Sequence, residues 1–231
     1  MTTSEITTID TSILTEFVGG QENNVAMMIG ISAVKDSDAV FFQYVGNDQQ
    51  PVAMVWSETG KPVTKFKNIR LTGLSIAEDI GKFDATKINV FVEVVGSGRI
   101  LMLTSGLTTL WSQYLITGLS GLALTDNLDF AFQLDTWKGT SKFKPTFAKV
   151  RSGGLEMTDP ELKQALIDAK GNDKATEAIM RDTVEYLNRL VTGGDVTPAV
   201  VTEVSEVEEA FWWVLTSVGL FIICLLYTSP S

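Results

Sequence analysis

Five aromatic rings and five cations between residues 66 and 151 have the types and spacing to do chemistry together. In an extended strand, residues two or four apart share a face. Phe66 would then lie beside Arg70, and Lys87 beside Asn89 and Phe91. Phe143, Phe147, Lys149 and Arg151 have one parity, opposite Ala148 and Val150, and Trp137 and Lys138 close another run. A flat ring next to a cation suits a ligand that is itself flat and anionic, because the ring stacks and the cation pairs. A phenylalanine left facing water forgoes about 1.5–3 kcal/mol of burial, so outward rings need something to cover them. The candidate stacking residues are Phe66, Phe91, Trp137, Phe143 and Phe147; the candidate anion-pairing residues are Arg70, Lys87, Lys138, Lys149 and Arg151. The competing reading is that an N-terminal meander or a helical segment covers this face, making the rings ordinary core and the cations a solvated rim.

Other chemistries are missing from the chain. It has no histidine, the commonest general base and metal ligand, and its one cysteine, Cys224, can form neither an internal disulfide nor a cysteine cluster. Gly96-Ser97-Gly98 could open a dinucleotide fingerprint, but Arg99-Ile100-Leu101 stands where the third glycine belongs, so a tight hairpin turn is expected. Asp126, Asp129 and Asp135 read as turn and solvent-face residues, and Trp111 and Tyr114 as helix-core anchors. No catalytic residue, metal site or cofactor is expected, and the chain reads as a non-enzyme.

The charge is segregated. Residues 61–151 carry 12 Lys and Arg against 7 Asp and Glu, whereas residues 1–60 carry 1 against 8 and residues 152–231 carry 5 against 13. A basic block with interleaved aromatics is the electrostatic footprint of a polyanion binder. Apolar, β-branched runs at 25–34, 39–45 and 52–57 predict a small β-meander within residues 25–60, after a Thr/Ser/Glu-rich, loosely ordered stretch at 1–24. Strands are predicted at 66–74, with Ile69 and Leu71 on the core side, at 87–95, with Ile88, Val90, Val92 and Val94 inward, and at 99–103. A helix follows at 108–119, with Leu110, Tyr114 and Leu115 inward, then strands at 129–136, with Phe130, Phe132 and Leu134 inward, and at 143–151. Residues 153–191 change to helical spacing. Thr158-Asp159-Pro160-Glu161 is a capping box with proline in the first turn, and Gly171-Asn172-Asp173 separates two helices. Residues 192–210 hold five acids and no base, the composition of an acidic linker.

The order strand, strand, strand, helix, strand, strand over residues 61–152 resembles the OB-fold, a five-stranded barrel with its helix between the third and fourth strands. The fold class expected is therefore β-rich α+β: an OB-like barrel preceded by a meander and followed by two helices and an acidic tail. The acidic stretch Glu203-Val204-Ser205-Glu206-Val207-Glu208-Glu209-Ala210-Phe211 is similar in character to the tails of bacterial single-stranded DNA-binding proteins, which recruit partners. The chain departs from that family in lacking the Asp-rich, proline-containing tip, in placing two helices between barrel and tail, and in its extra meander. The resemblance implies sequence-tolerant binding of single-stranded DNA or RNA in replication or recombination, a protein partner at the tail, and a homo-oligomer. The alternative is a structural or interaction protein, a virion or membrane-associated β-domain whose outer face packs on a neighbour.

Residues 224–231, Cys-Leu-Leu-Tyr-Thr-Ser-Pro-Ser, translate a transposase adapter end without a mismatch and read as adapter read-through. Without them the apolar segment 211–223 falls short of the ~20 residues that span a bilayer. It reads as a truncated apolar segment, either the start of a membrane anchor or a partner-binding helix. The N-terminus Met1-Thr2-Thr3-Ser4-Glu5 has no basic or apolar leader region, so a cytoplasmic location is expected.

Overall fold

The computed structural model describes residues 27–34, 37–45, 50–56, 59–80 and 85–193, the side chains of 79 and 80 excepted. The expectations for 1–24, for the linker beyond 193, for 211–223 and for 224–231 lie outside the described residues.

Nine strands form one mixed sheet in the order β3-β2-β1-β6-β5-β4-β7-β8-β9. They are β1 (Met27–Ile31), β2 (Phe41–Val45), β3 (Gln50–Ala53), β4 (Lys65–Ile80), β5 (Ala85–Val94), β6 (Arg99–Gly106), β7 (Phe132–Lys138), β8 (Thr146–Ser152) and β9 (Leu155–Met157). Three helices complete the described chain: α1 (Leu110–Leu124), α2 (Pro160–Asp168) and α3 (Asp173–Thr192). The β-rich α+β class and the strand-strand-strand-helix-strand-strand order of 65–152 are as read from the sequence. The expected five-stranded OB-like barrel, however, is not what these strands build: β4 to β8 lie within the one open nine-stranded sheet, because β1 pairs with β6 and β9 with β8. The meander is not a separate unit, because β1 pairs with β6 in parallel and so continues the same sheet. Residues 54–56 and 59–63 carry the pairing on: Met54 N–H donates to Phe41 O, and Val63 N–H to Met54 O, tying β2 to the residues that lead into β4.

Alternation fixes the central strands. Ile88, Val90 and Val92 of β5 and Leu101 and Leu103 of β6 are buried on one face, as their period-two pattern requires. Gly96-Ser97-Gly98 is the hairpin turn between β5 and β6, with Gly96 and Gly98 in the left-handed region at φ 90° and 65°. The long β4 has two partners on one edge in succession. It pairs with β7 at Lys65, Phe66 and Ile69, and beyond Ile69 that edge is unpaired by any strand. An open edge exposes backbone donors. Here α3 covers it: the Asn188 side-chain oxygen accepts from Leu74 N–H at 2.9 Å, and Arg181 bridges Glu78 of β4 and Glu177 of its own helix.

α1 is apolar nearly all round, which suits a helix enclosed by other elements. Trp111, Leu115, Ile116, Leu119 and Leu122 are buried, and the Trp111 indole N–H donates to Thr136 Oγ1 at 3.2 Å. Glycines bring it close to its neighbours: a Cβ on Gly118 would meet Val150 at 2.7 Å, and one on Gly121 would meet the Thr158 backbone N at 2.5 Å. α2 starts at Pro160 with Asp159 as its N-cap, whose carboxylate accepts from Glu161 N–H and Leu162 N–H. The cap is thus the second residue of the predicted capping box rather than Thr158. Leu166 of α2, and Met180, Val184 and Leu187 of α3, join the same core as the strands. Among the described residues no helix is long and apolar enough to cross a membrane.

Candidate functional site

The predicted face of rings and cations forms only in part. Phe66 is the clearest correction. A β-bulge between Phe66 and Ile69, with Asn68 at φ 55°, puts one extra residue into β4 and shifts its parity. Phe66 therefore turns to the core side with Ile69, where its ring lies 4.6 Å from that of buried Phe41. Phe143 is not on a strand at all. The run stops at Thr146 because Lys144 takes a left-handed φ of 41° and Pro145 follows it, so Phe143 sits in the β7–β8 hairpin loop, 89% exposed. Phe91 is half-buried on β5, opposite Gly73 of β4 and Met102 of β6.

Two of the five rings do meet. Trp137 and Phe147 are direct cross-strand neighbours on β7 and β8, with centroids 5.7 Å apart and planes at 24°. Tyr114 of α1 meets Phe147 edge-on at 5.4 Å. Sequence reasoning placed Tyr114 in the core with Leu110. Both instead lie on the outward side of α1, because the enclosed face of that helix runs through Trp111, Leu115 and Ile116. Phe130, expected inward, is exposed as well, since β7 begins only at Phe132.

The cations of this face are largely engaged. Arg70 pairs with Glu93 across β4 and β5 at 2.5 Å, Arg151 with Asp135 across β7 and β8 at 2.9 Å, and Lys149 with Glu156 of β9 at 2.6 Å. The Lys149 ammonium also stands 5.9 Å over the Trp137 ring. Lys138 donates to the Ser37 backbone carbonyl, and Lys144, in the same hairpin, pairs with Asp38 at 3.1 Å. Lys87 alone of the five candidates makes no ion pair or side-chain hydrogen bond with a described residue. Opposite charges on adjacent strands, directly opposite for Arg70–Glu93 and diagonal for the other two pairs, hold each other's side chains, each exposed pair contributing about 0–1 kcal/mol. The carboxylates that complete these pairs are Glu93, Glu156 and Asp135, the last of which the sequence places only among turn and solvent-face residues. Alternation puts Glu93 on one face with Lys87 and Phe91, but which cation each carboxylate meets depends on the pairing between strands.

A second feature adjoins the rings. A cleft of about 320 Å³ opens between α1, β8–β9 and α2, with Tyr114 and Lys149 among its walls. No group of three or more metal-ligating side chains exists among the described residues. Compared with protein-family models, curated proteins and solved structures, the chain gives no match.

Proposed function

We propose that this chain is a non-enzymatic interaction protein that packs its β7–β8 aromatic surface on a neighbouring protein, in the simplest arrangement a second copy of itself. The observation that carries the reading is the state of the charges beside the rings. Arg70, Lys149 and Arg151 are held by carboxylates and Lys138 by a backbone carbonyl, while Trp137 and Phe143 stay open. A phosphate backbone would have to displace those carboxylates before it gained from Arg70, Lys149 or Arg151. A protein partner needs no such exchange. Open aromatic rings with mutually neutralised charges have the composition of an interface centre.

Sequence-tolerant binding of single-stranded DNA or RNA in the cytoplasm is the second reading. It is favoured by the Trp137–Phe147–Tyr114 ring cluster under the Lys149 ammonium, and by an OB-like element order running from β4 to β8. Light scattering of the full chain, with and without fluorescent oligo-dT at about 50 mM salt, separates the two. The first reading expects concentration-dependent assembly without nucleic acid, lost in a Trp137→Asp/Phe143→Ser variant that keeps its circular dichroism. A chain that stays monomeric and binds oligo-dT with steep salt dependence would put the second reading in its place.

A further inference from the structure

The cleft beside the ring cluster has the lining of a small-molecule site, and it stands independently of the reading above. Its floor is made of small residues: Gly118 brings α1 against Val150, and Ala148 lies next to it on β8. Its walls mix polar residues with apolar side chains left exposed. Leu110 and Tyr114 come from α1 and Ile167 from α2, all three exposed. Three large apolar groups converging on one concavity would each gain by having a ligand over them.

The charges of the cleft are unbalanced. Glu156 is already taken by Lys149. Asp173, the other carboxylate of the lining, stands in the first turn of α3, where the helix end stabilises negative charge. Lys163 and Lys170 also line the cleft, and neither forms an ion pair with any described residue. Lys163 and Ile167 are four apart on one side of α2, and Lys170, two residues past the end of that helix, lines the same cleft.

We propose that this cleft binds a small amphipathic carboxylate, its apolar body on Tyr114 and Ile167 and its head group between Lys163 and Lys170. At roughly 30 Å³ per heavy atom, the volume holds a ligand of about ten non-hydrogen atoms. Octanoate has that size and is the probe, with octanol as its uncharged counterpart. Titration of the full chain, followed by calorimetry and by methyl and amide NMR, should give saturable octanoate binding with shifts concentrated at Tyr114, Met157 and Ile167. Octanol should bind at least about tenfold more weakly. The Lys163→Gln/Lys170→Gln variant changes only exposed side chains. It should lose about tenfold in octanoate affinity and none for octanol. Equal binding of the two probes, unchanged octanoate affinity in the variant, shifts confined to another region, or no saturable binding would each overturn the proposal.

Discussion

Replacing Gly121 by alanine sets local preference against packing, and the structure predicts which wins. Gly121 is inside α1, where alanine is favoured over glycine by about 1 kcal/mol. On propensity alone Gly121→Ala stabilises the chain. In the fold, the added Cβ would lie 2.5 Å from the Thr158 backbone N, 2.7 Å from its carbonyl carbon and 2.8 Å from its Cα. That is about 1 Å inside the separation at which carbon atoms attract. The neighbour cannot swing aside, because it is backbone held between Met157, which pairs with Val150, and Asp159. Asp159 N–H donates to Thr117 O at 3.0 Å, and Ser120 Oγ donates to the Asp159 carboxylate at 2.6 Å while that carboxylate caps α2. Overpacking against such a contact costs about 3 kcal/mol, the upper end of the usual range. After the propensity gain, the net is a destabilisation of about 2 kcal/mol. With an m-value near 2 kcal/mol/M, the urea midpoint should fall by about 1 M. The assay is urea unfolding followed by far-UV circular dichroism and by tryptophan fluorescence, with buried Trp111 as an internal reporter. A midpoint that stays put or rises would refute the argument that α1 is held against residue 158 at glycine distance.

Two further substitutions test how α3 closes the sheet, beyond the assembly and octanoate experiments described above. Glu78 is held below its ordinary carboxylate value near 4.5, chiefly by the Arg181 hydrogen bonds. Its contribution is therefore complete above that value and is lost as pH falls through the lower folded value, because there the unfolded chain binds the proton more readily. Thermal unfolding from neutral to about pH 3 should show a shallower acid loss in Glu78→Gln than in the parent. Parallel curves would show that the pair carries no linkage. Asn188→Ala removes the acceptor for Leu74 N–H on the half of β4 that β7 does not pair with and should cost about 1–3 kcal/mol. The Leu74 amide should then exchange with deuterium faster than those of Val90 and Val92, and unchanged protection at Leu74 would argue that α3 is not what shields that edge.

Much of the element order was legible in the residues. Period-two alternation marked Ile88, Val90 and Val92 as one face of a strand, the two glycines around Ser97 marked a hairpin, and Asp159-Pro160 marked a helix start. These signals are local, set by backbone sterics and by which neighbours share a side. The ring-and-cation face was legible only as far as alternation held. Trp137, Phe147, Lys149 and Arg151 lie where parity puts them, while Phe66 and Phe143 do not.

What the chain determined by itself was therefore the succession of strands, turns and helices, because each depends on a handful of adjacent side chains. The fold alone decided what those elements meet: that β1 joins β6, that α3 shields the edge β7 leaves, that a bulge at Asn68 sends Phe66 inward, and that Arg70, Lys149 and Arg151 find carboxylates across the sheet. Those outcomes depend on groups far apart in the chain competing for the same space and the same charge, and that competition leaves no periodic mark on the sequence.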